Sequence, residues 1–292
     1  MDDIPFLNTI DLEILMHKDC HFGGSFDVML DYYKEDGVGV QEDFDIERIH
    51  DLADFDKDGH LSAEMLPDLA KNEVFFSREL YKKFRDCYQG EDNLPKKLAD
   101  LVLSESSNPK KEILALSSFK ERAIKPLIEI LLQDHFYNPL NPGYGRAPIN
   151  AALTLKAIGN EETIPYLFNA LGKSFTIDEI LINTLISFGD KGENFLRARL
   201  EGSPFTKDNY LAAMALSSFD VNDQTAKVAL QVLSKEDTFK HPSYASYLIC
   251  ICEGLKQESD KKAFVQLSKN ETLNKNIASE MALIISFWKN SA

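Results

Sequence analysis

Five residues occur twice in this chain, as Ala115-Leu116-Ser117-Ser118-Phe119 and Ala215-Leu216-Ser217-Ser218-Phe219. Looser copies lie between them, Leu155-Lys156-Ala157-Ile158-Gly159 and Leu185-Ile186-Ser187-Phe188-Gly189. Each copy closes an apolar run of helical period and is followed by a short polar turn and a second such run. That recurrence is the signature of stacked helix pairs. A lone pair of this kind cannot bury its apolar face, so the pattern commits the chain to an array in which neighbours cover one another.

The phase of the array can be read from apolar triads spaced i, i+4, i+7. They are Ala151/Leu155/Ile158, Leu181/Leu185/Phe188, Ala212/Leu216/Phe219 and Tyr244/Leu248/Ile251, with a tighter version at Ile113/Leu116/Phe119. Second helices follow, two of them marked by Pro126 and Pro165 near their starts, where proline is tolerated. The expected units are 109–134, 146–173, 175–202, 206–236 and 241–270, and a last helix from Thr272 to Lys289 is expected to cap the stack. The fold class this predicts is all-α, an α-α superhelix.

A small-residue first helix, a Gly/Asp turn and a proline-marked second helix together resemble the HEAT repeat, most closely the short type of phycobilin lyases and bacterial scaffold proteins. The resemblance covers residues 109–270 and is specific to architecture, because HEAT arrays serve many unrelated functions. It implies a concave face lined by the second helices, which would present Glu129, Tyr166, Asn169 and Arg197 to a protein or peptide partner. The function expected is therefore a non-enzymatic scaffold or adaptor, with no cofactor required. A lyase-type enzyme on the same scaffold is a weaker implication. Deoxyhypusine hydroxylases hold iron on His-Glu dipeptides, and none of the six His here precedes a Glu. HEAT-type DNA glycosylases need a basic face, which this chain does not offer.

Charge divides the chain. Residues 1–93 hold 24 Asp and Glu against 9 Lys and Arg, whereas 94–292 hold 23 of each, so one third carries the whole net charge of −15. Such a surface repels phosphate and disfavours nucleic acid, leaving cations, a basic partner or solubility as its uses. No apolar run approaches the ~18 residues of a membrane span. Met1-Asp2-Asp3 is acidic where a signal peptide would be basic, so a cytoplasmic protein is expected. Cys20, Cys87, Cys250 and Cys252 lack CxxC spacing and are expected to be reduced thiols.

The acidic region 1–93 is expected to be helical. Asn8 or Thr9 can cap a first helix ending at Gly23-Gly24, and Ser25 a second ending before Gly37-Val38-Gly39. Ile49/Leu52/Phe55 repeats the tight triad, Leu66-Pro67-Asp68-Leu69 reads as the start of a second helix, and Phe75–Tyr88 with Leu94–Ser104 as a further pair. Either these are degenerate repeats, for about seven units in all, or 1–93 is a separate helical domain before a solenoid at 94–292.

Three segments invite a chemical reading. His17 and His21 lie at i and i+4 and could share a metal, with Asp19 pointing elsewhere; the duller reading is a favourable seat near a helix C-terminus. Asp54, Asp56, Asp58 and Gly59 fall at positions one, three, five and six of a calcium-binding EF-hand loop, which the segment resembles. It departs at position twelve, where Met65 replaces the bidentate Glu and Glu64 stands one residue early. Calcium held by Asp54, Asp56, Asp58 and Glu64 is the alternative function. Third, the connection 135–148 is long and rich in aromatic residues, Pro and Gly; loops of this kind on rigid scaffolds often carry recognition, and the alternative is a tolerated insertion packed on its own aromatics. Tyr137, Tyr144 and Arg146 are its candidate contact residues.

Overall fold

The computed structural model describes residues 7–106, 108–201, 205–270 and 273–290. Among them the regular structure is all α-helix and short 3-10 turns, with no strand. The chain forms two compact units, residues 1–160 and 161–292.

The first unit opens with α1 (Thr9–His21) and α2 (Phe26–Lys34). Asn8 and Asp11 cap α1 reciprocally, each side chain accepting the other's backbone N–H at 2.9 Å, which satisfies two donors that the first turn leaves free. Ser25 caps α2 by accepting from the Val28 N–H. Next come α3 (Ile46–Phe55), α4 (Leu61–Met65) and α5 (Asp68–Asp86). The core of this part is Ile14, Leu15, Met29, Ile49 and Leu52, all fully buried. Arg48 of α3 clamps Asp11 of α1 in two parallel bonds of 2.7 and 2.8 Å, and the guanidinium holds that carboxyl below its usual range.

One expectation changes here. Leu66–Leu69 and Phe75–Tyr88 read as two helices, but α5 runs unbroken from Asp68 to Asp86. The polar stretch Lys71-Asn72-Glu73 contains no Gly or Pro to break it, and its residues lie on an exposed helical face. A count of seven similar pairs therefore fails in this region, where the Asp54–Glu64 turn is followed by one long helix.

The rest of the first unit is α6 (Asn93–Val102), α7 (Lys110–Ser117), α8 (Glu121–Leu132) and α9 (Ala147–Ile158). Here α6 packs on α7 and α9, and α9 on α7 and α8. The second unit continues with α10 (Ile164–Ala170), α11 (Phe175–Ile186), α12 (Asp190–Leu200), α13 (Lys207–Leu216) and α14 (Asp223–Leu233). It ends with α15 (Pro242–Cys252), α16 (Glu258–Leu267) and α17 (Lys275–Asn290). Each expected unit spans two consecutive helices, but the closest packing joins the second helix of one expected unit to the first of the next, α8 to α9, α10 to α11, α12 to α13 and α14 to α15. The expected unit 146–173 is divided between the two compact units, and Thr272 lies outside the described residues. Within the second unit α10 packs on α11 and α12, α12 on α13 and α14, and α15 on α13, α14 and α17. Contact with the next helix and the next but one is how a stack of helix pairs covers its apolar faces. This is a helical-repeat arrangement.

The repeated pentads end where the chain leaves the first helix of a pair. Gly159 and Gly189 stand there with φ of +71° and +55°, and Lys120 adopts +49° at the corresponding place after Phe119. A glycine takes that conformation without a Cβ clash, whereas a lysine is strained in it. After Phe219 the corresponding residue, Asp220, does not take a positive φ, so three of the four copies share this feature.

Candidate functional site

The 135–148 connection does not hang free. Tyr144, itself at φ +52°, lays its ring against His21 with centroids 4.3 Å apart, and stacks on Tyr32 at 6.1 Å. Its ring covers the backbone at Gly39, where a Cβ would come within 2.3 Å of it. The Tyr32 hydroxyl accepts from the Gly39 N–H at 2.8 Å. Ser77 on α5 donates to the Leu140 carbonyl, and Tyr137 donates to the Leu131 carbonyl. Phe136 is buried against Phe84. Two of the three candidate contact residues, Tyr137 and Tyr144, therefore hold the loop down, and Arg146 is half-buried just before α9. A Tyr144→Ala change is expected to cost about 2–4 kcal/mol of stability, read by thermal or urea denaturation, with Tyr144→Phe costing about 1 kcal/mol for the lost hydrogen bond to Tyr32. A loss below about 0.5 kcal/mol would mean the ring is not an anchor.

His21 links the loop to α1. Its Nε2–H donates to the Pro139 carbonyl at 2.9 Å, so its Nδ1 is the atom that accepts from the Tyr81 hydroxyl at 2.6 Å. This fixes one neutral tautomer. Burial, with the neighbouring His17, pushes its pKa down to about 3. Asp19 faces Arg78 and Lys18, each at 3.7 Å. His21 and Asp19 are thus committed to protein partners.

His17 is different. It is 5% exposed, sits edge-on to Phe44 with centroids 5.1 Å apart, and makes no hydrogen bond or ion pair among the described residues. Burial pushes its pKa down to about 4, so at neutral pH it offers one donor and one acceptor. It lines a cleft of about 340 Å³ formed where α1, the α2–α3 link, α5 and the docked loop meet. Met16, Phe44, Pro139 and Leu140 supply its apolar wall, and Glu13, Asp43 and Glu73 its rim. All three carboxylates are exposed and none meets a cation among the described residues. The arrangement combines a partly apolar slot, unneutralised negative charge at its mouth and an unused imidazole on its wall.

The Asp54–Glu64 segment is held differently from a cation loop. Gly59 has the left-handed backbone expected of position six, with φ +72°. Asp56 points inward: one oxygen takes Lys18 Nζ at 2.8 Å and the other the Leu61 N–H at 2.8 Å. Asp54 lies in the last turn of α3, Glu64 lies in α4, and both are exposed, as is Asp58. Among the described residues no three or more His, Cys, Asp or Glu side chains form a group that could hold a metal ion. The ammonium of Lys18 supplies the positive charge that Asp56 faces.

Of the expected concave-face residues, Glu129 on α8 and Tyr166 and Asn169 on α10 are exposed. Arg197 on α12 is half-buried, with Nη1 3.4 Å from Thr225 Oγ1. Beside it the buried Glu193 accepts from Thr225 Oγ1 at 2.5 Å and the Asn222 N–H at 3.0 Å, tying α12 to the start of α14. Cys20 carries no reactive thiolate at neutral pH, since burial pushes its pKa up to about 11.

No family model, curated protein or solved structure matches this chain. Its function is therefore argued from the site. Glu13, Asp43 and Glu73 were missed by sequence reasoning. Their one legible signal was the excess of acid in residues 1–93, which does not say where carboxylates converge. Among the described residues no helix is long and apolar enough to cross a membrane.

Proposed function

We propose that this is a non-enzymatic, partner-binding helical-repeat protein whose partner presents a basic segment, one lysine of which enters the cleft beside His17. The carrying observation is that cleft, where, among the described residues, the acidic rim meets no cation and the buried imidazole makes no hydrogen bond. A lysine fits it in both of its parts. The aliphatic stem covers Met16, Phe44 and Leu140, and the ammonium reaches the rim carboxylates or the free acceptor of His17. A negatively charged concavity also raises the rate at which a basic partner arrives. In the second unit a HEAT-like curvature would put Tyr166 and Arg197 on a concave face, a further surface of the kind protein partners use. Calcium is not needed for this reading, because Asp56 already faces Lys18.

The test uses a short fluorescent lysine-rich peptide and anisotropy. Glu13→Lys and Glu73→Lys are each expected to weaken binding about tenfold, or ~1.4 kcal/mol. Asp58→Lys makes the same change in net charge on the exposed α3–α4 turn and should weaken it far less. Equal losses in all three variants would reduce the interaction to bulk attraction and remove the cleft from the account.

A further inference from the structure

The end of the second unit has the opposite character. Between α16 and α17 lies a groove of about 450 Å³ with Val265, Ile285 and Trp288 as its apolar lining. Trp288 is fixed in place: its Nε1–H donates to the Glu253 carbonyl at 3.0 Å, and its ring meets Phe264 edge-on with centroids 5.2 Å apart. Four lysines also line the groove, Lys261, Lys262, Lys269 and Lys289, against one carboxylate, Glu258. Lys261 lies 5.6 Å from the Trp288 ring centroid and 3.7 Å from Glu258. The other three lysines are exposed and meet no carboxylate among the described residues.

We propose that this groove docks an acidic peptide segment carrying a single apolar anchor residue. Charge complementarity selects the occupant: in a chain of net charge −15, four lysines converge on one apolar slot. The anchor would bury against Ile285 and the face of Trp288, an amphipathic ring of the type enriched at binding hot spots. Acidic side chains on either side would meet Lys262, Lys269 and Lys289. A nucleic acid suits the site less well, because the chain as a whole repels a phosphate polymer and the slot wall is aliphatic on one side. This inference stands apart from the acidic cleft, which lies in the other unit and attracts the opposite charge.

Trp288 is the only tryptophan in the chain, so its emission reports on the groove directly. The probe is a short synthetic peptide rich in Asp and Glu with one central Leu, titrated at low salt. A saturable change in Trp288 emission is expected, lost at high salt and absent with a lysine-rich peptide of the same length. The double variant Lys262→Glu, Lys289→Glu should weaken binding about tenfold or more. Far-UV circular dichroism checks that it folds, and Lys269→Glu alone serves if it does not. No emission change, or unchanged affinity in both variants, overturns the proposal. So does a single-stranded oligonucleotide competing as well as the peptide, or sedimentation showing that a second copy of the chain fills the groove.

Discussion

Replacing Lys18 with methionine is expected to destabilise the first unit by about 3–5 kcal/mol, close to the largest effect available to a single side chain here. The Lys18 side chain is 2% exposed and that of Asp56 3%, with Nζ and Oδ2 2.8 Å apart. The ammonium also lies 4.7 Å from the Phe26 ring centroid and 3.7 Å from Asp19. Methionine fills the stem's volume but leaves the Asp56 carboxylate buried with one backbone donor and no counter-charge. Asp56→Asn alone leaves the ammonium without its close partner and is expected to cost a similar amount. The double variant removes both charges, so most of the loss should return. Urea denaturation of the four proteins measures the coupling. Two single costs under about 1 kcal/mol, adding without interaction, would show that the pair is not the keystone of the α1–α3 junction.

Acid is expected to unfold the first unit before most of its carboxylates protonate. In the fold His17 titrates at about 4 and His21 at about 3, both below the ordinary value of 6.5. Above pH 6.5 both rings are neutral in the folded and unfolded chain, and stability does not depend on them. As pH falls below 6.5 the unfolded chain takes up protons that the fold refuses, so stability declines until the folded pKa is reached. For His17 alone the full loss is about 3 kcal/mol between pH 6.5 and 4. His21 adds a loss in the same direction, with repulsion from His17 included in its shift. Thermal melts at pH 7, 6, 5 and 4.5 should show the decline, and His17→Gln should flatten part of it. A melting temperature constant from pH 7 to 5 would contradict the buried neutral state of both rings.

What the sequence made legible was local. Helix pairs showed through because apolar period, caps and prolines act within a few residues, and the capping of α1 by Asn8 is of that kind. The i, i+4 placement of His17 and His21 was also readable, and their ring centroids lie 5.3 Å apart. Their roles were not readable, since one imidazole bonds to a carbonyl 118 positions away and the other makes no hydrogen bond among the described residues. The cleft joins Glu13 to Leu140, and a buried ion pair joins Lys18 to Asp56 across 38 positions. No periodicity encodes such meetings. The long connection shows the same limit: its aromatic residues suit recognition and self-packing equally, and only tertiary contacts place Tyr144 against His21.

Gly143, Tyr144 and Gly145 are three consecutive residues with φ of +88°, +52° and +76°. They form a short stretch wound against the hand of every helix around it. Gly143 has no room for a side chain either, as a Cβ there would lie 2.6 Å from the Val102 carbonyl oxygen. For anyone building a library on this scaffold, the two glycines and the tyrosine between them are a clasp that must be inherited whole. Asn138, Pro139 and Leu140, a few residues earlier, face the cleft. Variation there is bounded too, since Asn138 Oδ1 accepts from the Leu140 N–H at 2.9 Å and Leu140 packs on the core.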